Sequence, residues 1–456
     1  MSAFDDVSSR IGGEGATFNE ESFQAFLSQR NGEPSWLRTH RADNWRRLLG
    51  MPDPSRKDEH WRFGDPRRLA LGKCAPSFGQ IGESDVGELK QASNLVPSPK
   101  ARIILANDRC IEEADLPDEL HHRGVVFESL ESAILKRPDE LRRHLEIKQY
   151  DLGSAKQRAL HASHLRNGAY LRIPPGVVIE EPLIIYHWIK GSDVAIFPRT
   201  IITAEKNSQV TLVEVYLSAD IESNAFASAV VSIEAATEAN VTRIAAQNWN
   251  HNTVSCLLNS NYAERDALIR NFAILLGSKV CRQETHLKIS EPGGDVRVRS
   301  MVVADDDQLF DQRSRQDHQA ERTCSDVLCK NALLDESRSI FGGLIRVEEN
   351  AQLTNAHQTN RNLVIGPTAE THTLPELEIF ANDVKCSHGA TTGKIDEEQL
   401  FYLQSRGIPR ETARQLLTLG FFEEILTEIP NELADALRIL FRAKLEGSRR
   451  NEPSSR

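Results

Sequence analysis

The segment Asp383-Val384-Lys385-Cys386-Ser387-His388-Gly389 places a thiol and an imidazole two residues apart. In an extended chain, side chains at i and i+2 lie on one face, about 6.5–7 Å apart, so Cys386 and His388 converge while Lys385 and Ser387 point the other way. A thiolate and an imidazole so disposed form a soft half-site for iron, and an adjacent lysine or histidine lowers a thiol pKa toward the ligand form. By composition alone such a pair is more often packing plus one satisfied hydrogen bond.

Elsewhere the candidates are sparse. The seven cysteines, Cys74, Cys110, Cys256, Cys281, Cys324, Cys329 and Cys386, are odd in number, scattered, and contain no CxxC pair. This is the pattern of reduced thiols, and it gives no support to a closed zinc site or a self-contained cluster. Any metal site is therefore mixed or shared. Cys324 and Cys329, five apart, face opposite sides of a regular strand and are read as buried small hydrophobes. The carboxylates Asp305, Asp306, Asp307 and Asp311 suggest the acid pair of a sugar-cleaving enzyme, or, more simply, a solvated turn. Gly389-Ala390-Thr391-Thr392-Gly393-Lys394 imitates a phosphate loop, but three residues separate the glycines where four are needed, and Ile395 follows the lysine. No nucleotide is expected on this chain.

The whole chain sets the limits. Its 456 residues carry 55 basic and 66 acidic side chains, a formal charge of −11. That balance argues against a surface built to neutralise phosphates, so nucleic acid is not an expected partner. With 39% hydrophobic and 27% charged residues the chain has core material and is not disordered. No apolar window of membrane-spanning length occurs, and the acidic opening MSAFDDVSSR has no signal-peptide core. A cytoplasmic protein without membrane attachment is expected.

The elements that must hold Cys386 and His388 follow from periodicity. Residues 1–160 read as a mixed, mostly helical domain, with helices over Glu20–Arg30 and Trp36–Leu49 and short strands at Arg102–Ala106 and Val125–Phe127. A helical stretch over Ser129–Ile147 is divided by Pro138. The aromatic run around Trp61 and Phe63 is read as packing. From residue 168 the period becomes alternating, and turn-then-strand units recur at Ser208-Gln209-Val210, Ala239-Asn240-Val241, Arg265-Asp266-Ala267 and Gly294-Asp295-Val296. A repeat of about 30 residues without intervening helices predicts stacked rungs over 168–395, against which a large antiparallel sandwich is the alternative. Residues 396–446 return to helix. Asp396 is an N-cap, Gly407 a stop, and a further helix opens near Pro409. Leu416, Leu417, Phe421 and Phe422 make a strongly apolar stripe, suited to capping the last rung or to docking a partner. Residues 447–456 are expected to be a disordered tail.

The run from Leu374-Pro375-Glu376-Leu377-Glu378-Ile379 through Lys385-Cys386-Ser387-His388-Gly389-Ala390-Thr391, Asp396-Glu397-Glu398 and Ser405-Arg406-Gly407-Ile408 closely resembles the SufD family of iron–sulfur cluster assembly scaffolds. The similarity extends upstream through Ser325, Phe341-Gly342-Gly343 and Asn355-Ala356, and more faintly to residue 168. Where this chain reads Lys385-Cys386-Ser387-His388, the paralogous SufB carries a different sequence. The resemblance implies a mainly β fold, a right-handed parallel β-helix (solenoid) flanked by an N-terminal α/β or helical region and a C-terminal helical domain. It also implies a heterodimer with SufB through the β-helix, with a homodimer allowed in isolation, and docking of the ABC-type ATPase SufC through the C-terminal helices. Cys386 and His388 would then contribute to a transient iron–sulfur cluster or iron site shared with SufB.

The expected role is therefore a scaffold and not an enzyme. A purely structural β-helix partner without metal ligands and a β-helix carbohydrate-active enzyme are the competing readings.

Overall fold

The computed structural model describes residues 11, 16–77, 79–96, 98–145 and 152–447. The end of the expected helix at Ile147 and residues 448–456 of the expected tail lie outside them. The fold is mainly β, a solenoid of about eight turns with helices before and after it. Successive strands alternate between two sheets, and each pairs in parallel with the strand one turn away. In one sheet the register runs Gln209, Asn240, Leu268, Asp295, Cys324, Asn355, Lys385. The other sheet runs through Thr253–Ala263, Val280–Ile289, Leu309–His318 and Arg338–Val347 to Glu370–Ile379.

The repeat has a backbone signature. Asn207, Glu238, Asp266, Gly293, Arg322 and Leu353 each stand two residues before a strand of the Lys385 sheet, with φ between 53° and 78°. The chain thus turns each corner through a left-handed residue, a conformation cheapest for Gly, Asn and Asp. This corrects the phase of one unit: Asp266 is the corner itself, and its strand begins at Leu268, later than the Arg265-Asp266-Ala267 spacing suggests.

The two ends of the solenoid differ. At the first end Ala101–Ala106 extends one sheet in parallel beside Leu183–Ile189, and Arg109–Glu112 closes it antiparallel. Val126–Ser129 closes the other sheet antiparallel to Gly168–Ile173. At the far end Glu370–Ile379 and Lys385–Gly393 are the last strands, and no described strand follows either.

Helices cover the sides. Ser35–Gly50 and Ala155–His164 pack together, and Pro138 does divide its stretch, into Leu130–Lys136 and Pro138–Leu145. The Glu59–Trp61 turn buries Trp61, whose Nε1 donates to Gly153 O at 3.0 Å and whose ring lies 4.0 Å beneath the Arg282 guanidinium. The C-terminal helices Glu397–Ser405, Arg410–Leu426 and Asn431–Gly447 follow the last strand, the first capped by Asp396 Oδ1 on the Glu398 and Gln399 amides. They do not cap the last rung. Phe422, Ile425, Leu426, Leu433, Leu437 and Phe441 pack against the outer face of the Lys385 sheet, on Phe272, Ile274, Met301, Val303 and Leu328. The last helix reaches Gly447, one residue into the expected tail.

Candidate functional site

Cys386 and His388 lie on Lys385–Gly393, at the uncovered end. Their register partners one turn back are Ala356 and Gln358, both buried, so strand alternation turns Cys386 and His388 toward the solenoid interior. Cys386 is half-buried and packs with Ile345, Val347, Ala351, Ala356 and Ala381. His388 is exposed because no rung covers it. Thiol and imidazole therefore share one face, as the i, i+2 spacing requires. On the opposite face Ser387 Oγ is 2.7 Å from His357 Nδ1, and Lys385 is exposed.

The electrostatics differ from expectation. Neither Lys385 nor His388 lowers the Cys386 thiol. Burial pushes it up, partly offset by a backbone hydrogen bond to Ala356. Cys386 is thus a thiol at rest, and a ligand role requires proton loss on metal binding.

The other sequence candidates disperse. Cys329 is buried in the interior with its thiol pushed up to about 12 by burial, while Cys324 is only half-buried on the outer face, against the expectation that both are buried. The Asp305–Asp311 run is not a solvated turn throughout. Asp311 is buried between Arg282 at 2.5 Å and Arg313 at 2.7 Å. Asp305, also buried, accepts from Lys444 Nζ at 2.5 Å, and that ammonium also lies 2.8 Å from His251 Nε2 and 3.0 Å from Gln308 Oε1. His251, Asp305 and Asp306 bring ligand atoms within 4.8 Å of one another, but the lysine is their cation, and the arrangement ties the last helix to the solenoid. Gly389–Gly393 is extended strand, not a phosphate cradle.

The apolar C-terminal stripe splits. Leu416 is exposed, Leu417 and Phe421 are half-buried, and Phe422 is fully buried, stacked on Phe441 at 5.1 Å. Phe422 therefore packs within the chain and offers no surface to a partner. The helix before it exposes Phe401 (72%) and Tyr402 (57%). Sequence reasoning passed over these two as surface, although two aromatics beside a buried Leu400 on a nine-residue helix were a signal.

Residues 187–421 match the family model described as SUF system FeS cluster assembly, SufBD core domain. The iron–sulfur cluster assembly protein SufD of Bacillus subtilis is 27% identical over 91% of this chain and 94% of its own length. SufBD family proteins of Staphylococcus saprophyticus and Staphylococcus aureus are each 25% identical, covering 92% and 97% of this chain and 92% and 96% of their own lengths.

Proposed function

The chain belongs to the SufBD core family of SUF-system iron–sulfur cluster assembly proteins, and from that premise we propose that it is a non-catalytic scaffold subunit whose open solenoid end pairs with a SufB partner. One observation carries this reading: a thiol and an imidazole share the interior face of the last strand, where no further rung covers them. An uncovered strand edge is a template for another chain, and an incomplete ligand pair on it gives a site that closes only on pairing. The cargo, iron or a nascent cluster, is held by Cys386 and His388 together with ligands from the partner. A set split between chains also releases cargo when the subunits move. Two chains of this kind can pair in isolation by the same edges.

The exposed residues Phe401, Tyr402 and Leu416, with half-buried Leu417 and Phe421, are the surface for a SufC-type ATPase, which supplies the nucleotide chemistry in the cytoplasm. The packing of Cys386 among apolar side chains favours one alternative, a structural role without ligation. The test is anaerobic co-production with SufB and SufC partners. Cys386→Ser and His388→Ala are expected to lower cluster content at unchanged subunit stoichiometry, with His388→Ala the more severe. Normal cluster content in the double variant would reduce the pair to packing.

A further inference from the structure

Beneath the open end an amide crosses the interior. Gln358, 1% exposed, extends from the Lys385 sheet to the opposite one, where its Nε2 donates to Gly343 O at 3.1 Å. Its Oε1 accepts from Gln316 Nε2 at 3.2 Å and Ser314 Oγ at 3.4 Å. Gly343 makes the room: a Cβ there would fall 2.2 Å from Gln358 Oε1 and 2.5 Å from its Cδ. A second tie lies beside it, Thr373 Oγ1 donating to Asn360 Oδ1 at 2.9 Å, again from sheet to sheet. Gln358 and His388 are register partners on the interior face, so the Gln358 side chain leaves the backbone one strand spacing, about 4.8 Å, below that of His388, and no described rung lies above.

We infer that Gln358, locked onto Gly343, is a positioning residue for His388 and the floor that closes the open end from the rest of the solenoid interior. This deepens, and rests on, the reading of Cys386 and His388 as cargo ligands. An imidazole on a terminal strand is restrained chiefly by its in-register neighbour. A neighbour fixed by three hydrogen bonds restrains it more than a flexible apolar chain does. The closed floor also fixes the route of supply: cargo reaches the pair from the partner's side and not through this chain's own core.

The test uses the co-purified complex and, for the subunit alone, cobalt(II) as a spectroscopic probe of thiolate and imidazole ligation. Gln358→Met keeps the volume and removes the amide. It is expected to weaken cobalt(II) binding about tenfold, the scale of losing a residue that orients a ligand. It should also shift the acid limb of binding and lower cluster content at unchanged stoichiometry, with a lower melting temperature because the Gly343 carbonyl and Gln316 Nε2 lose a buried partner. Gly343→Ala should do the same while Gln358 is present and add nothing in a Gln358→Ala background, because the clash is with that amide. Wild-type cobalt(II) affinity and pH profile in Gln358→Met, with loss in Cys386→Ser and His388→Ala, would overturn this inference and leave the ligand reading standing. Undiminished binding in those two ligand variants would overturn the ligand reading itself.

Discussion

His164 is buried among Phe18, Phe23, Phe26, Trp45 and Phe197, with ring centroids 4.9–5.6 Å away. Burial holds its imidazole neutral and moves its pKa down to about 3. A folded value below the unfolded one means that the unfolded chain takes up a proton the native state refuses. The stability contributed by neutral His164 is therefore present above about pH 6.5 and falls as pH drops toward 3. His161, buried on the same helix with its pKa likewise near 3, adds to the same slope. His164→Leu is expected to flatten the pH dependence of urea unfolding between pH 6.5 and 4, and an unchanged slope would place the acid sensitivity elsewhere. A buried charge, by contrast, is paired. Burial works to raise the Glu214 carboxyl, but Arg243, His187 and Thr200 outweigh it and hold it near 2. Arg243→Met strands that carboxylate inside the solenoid and should cost about 3–5 kcal/mol in denaturant unfolding. None of this was legible in the sequence. An alternating strand pattern assigns His187, Glu214 and Arg243 to a face but does not reveal that the face is inward, because their partners come from different turns.

The helices and strands were more legible than their placement. The Asp396 cap, the Gly407 stop and the Pro138 division rest on local chemistry that operates within a few residues, and all three stand in the structure. Where the C-terminal helices go depends on side chains about 90 to 150 residues away, so the apolar stripe could not be divided into its packed and exposed parts. Substitutions divide it directly. Phe422→Ala should destabilise the chain by about 3–5 kcal/mol through lost burial and the cavity left behind. Leu416→Glu, on the exposed side, should change stability by less than about 0.5 kcal/mol. If the helix surface docks the ATPase, Leu416→Glu combined with Phe401→Ser lowers co-purification of SufC while the melting temperature holds. Retained co-purification would move the docking surface off these helices. Cys386 and His388 were legible as a pair because strand alternation is strictly local. That Cys386 would rest as a thiol was not, since it depends on burial by Ile345, Val347 and Ala381.

The whole molecule has one finished end and one unfinished end. At the first turn the sheets end in the four-residue strands Arg109–Glu112 and Val126–Ser129, with Leu116, Leu120 and Val125 packed over the interior, whereas at the far end they end in the longer strands Glu370–Ile379 and Lys385–Gly393, and no described strand follows. In the language of polymer chemistry, a chain that associates only through its far end is a monofunctional unit, able to terminate a growing stack but not to extend one. End-to-end association of solenoids is therefore expected to stop at two, whether the second is a copy or a relative. Light scattering of the purified chain over rising concentration should level off at the mass of a pair. Replacing Thr392, whose N–H points to the open edge because the alternate residues from Lys385 donate to the preceding strand, with proline should return it toward the monomer. Mass that keeps rising with concentration would mean that the first end is reactive after all. A mass that levels off at a pair would mean that the short strands at the first end set the size of the assembly from the end farthest from where it forms.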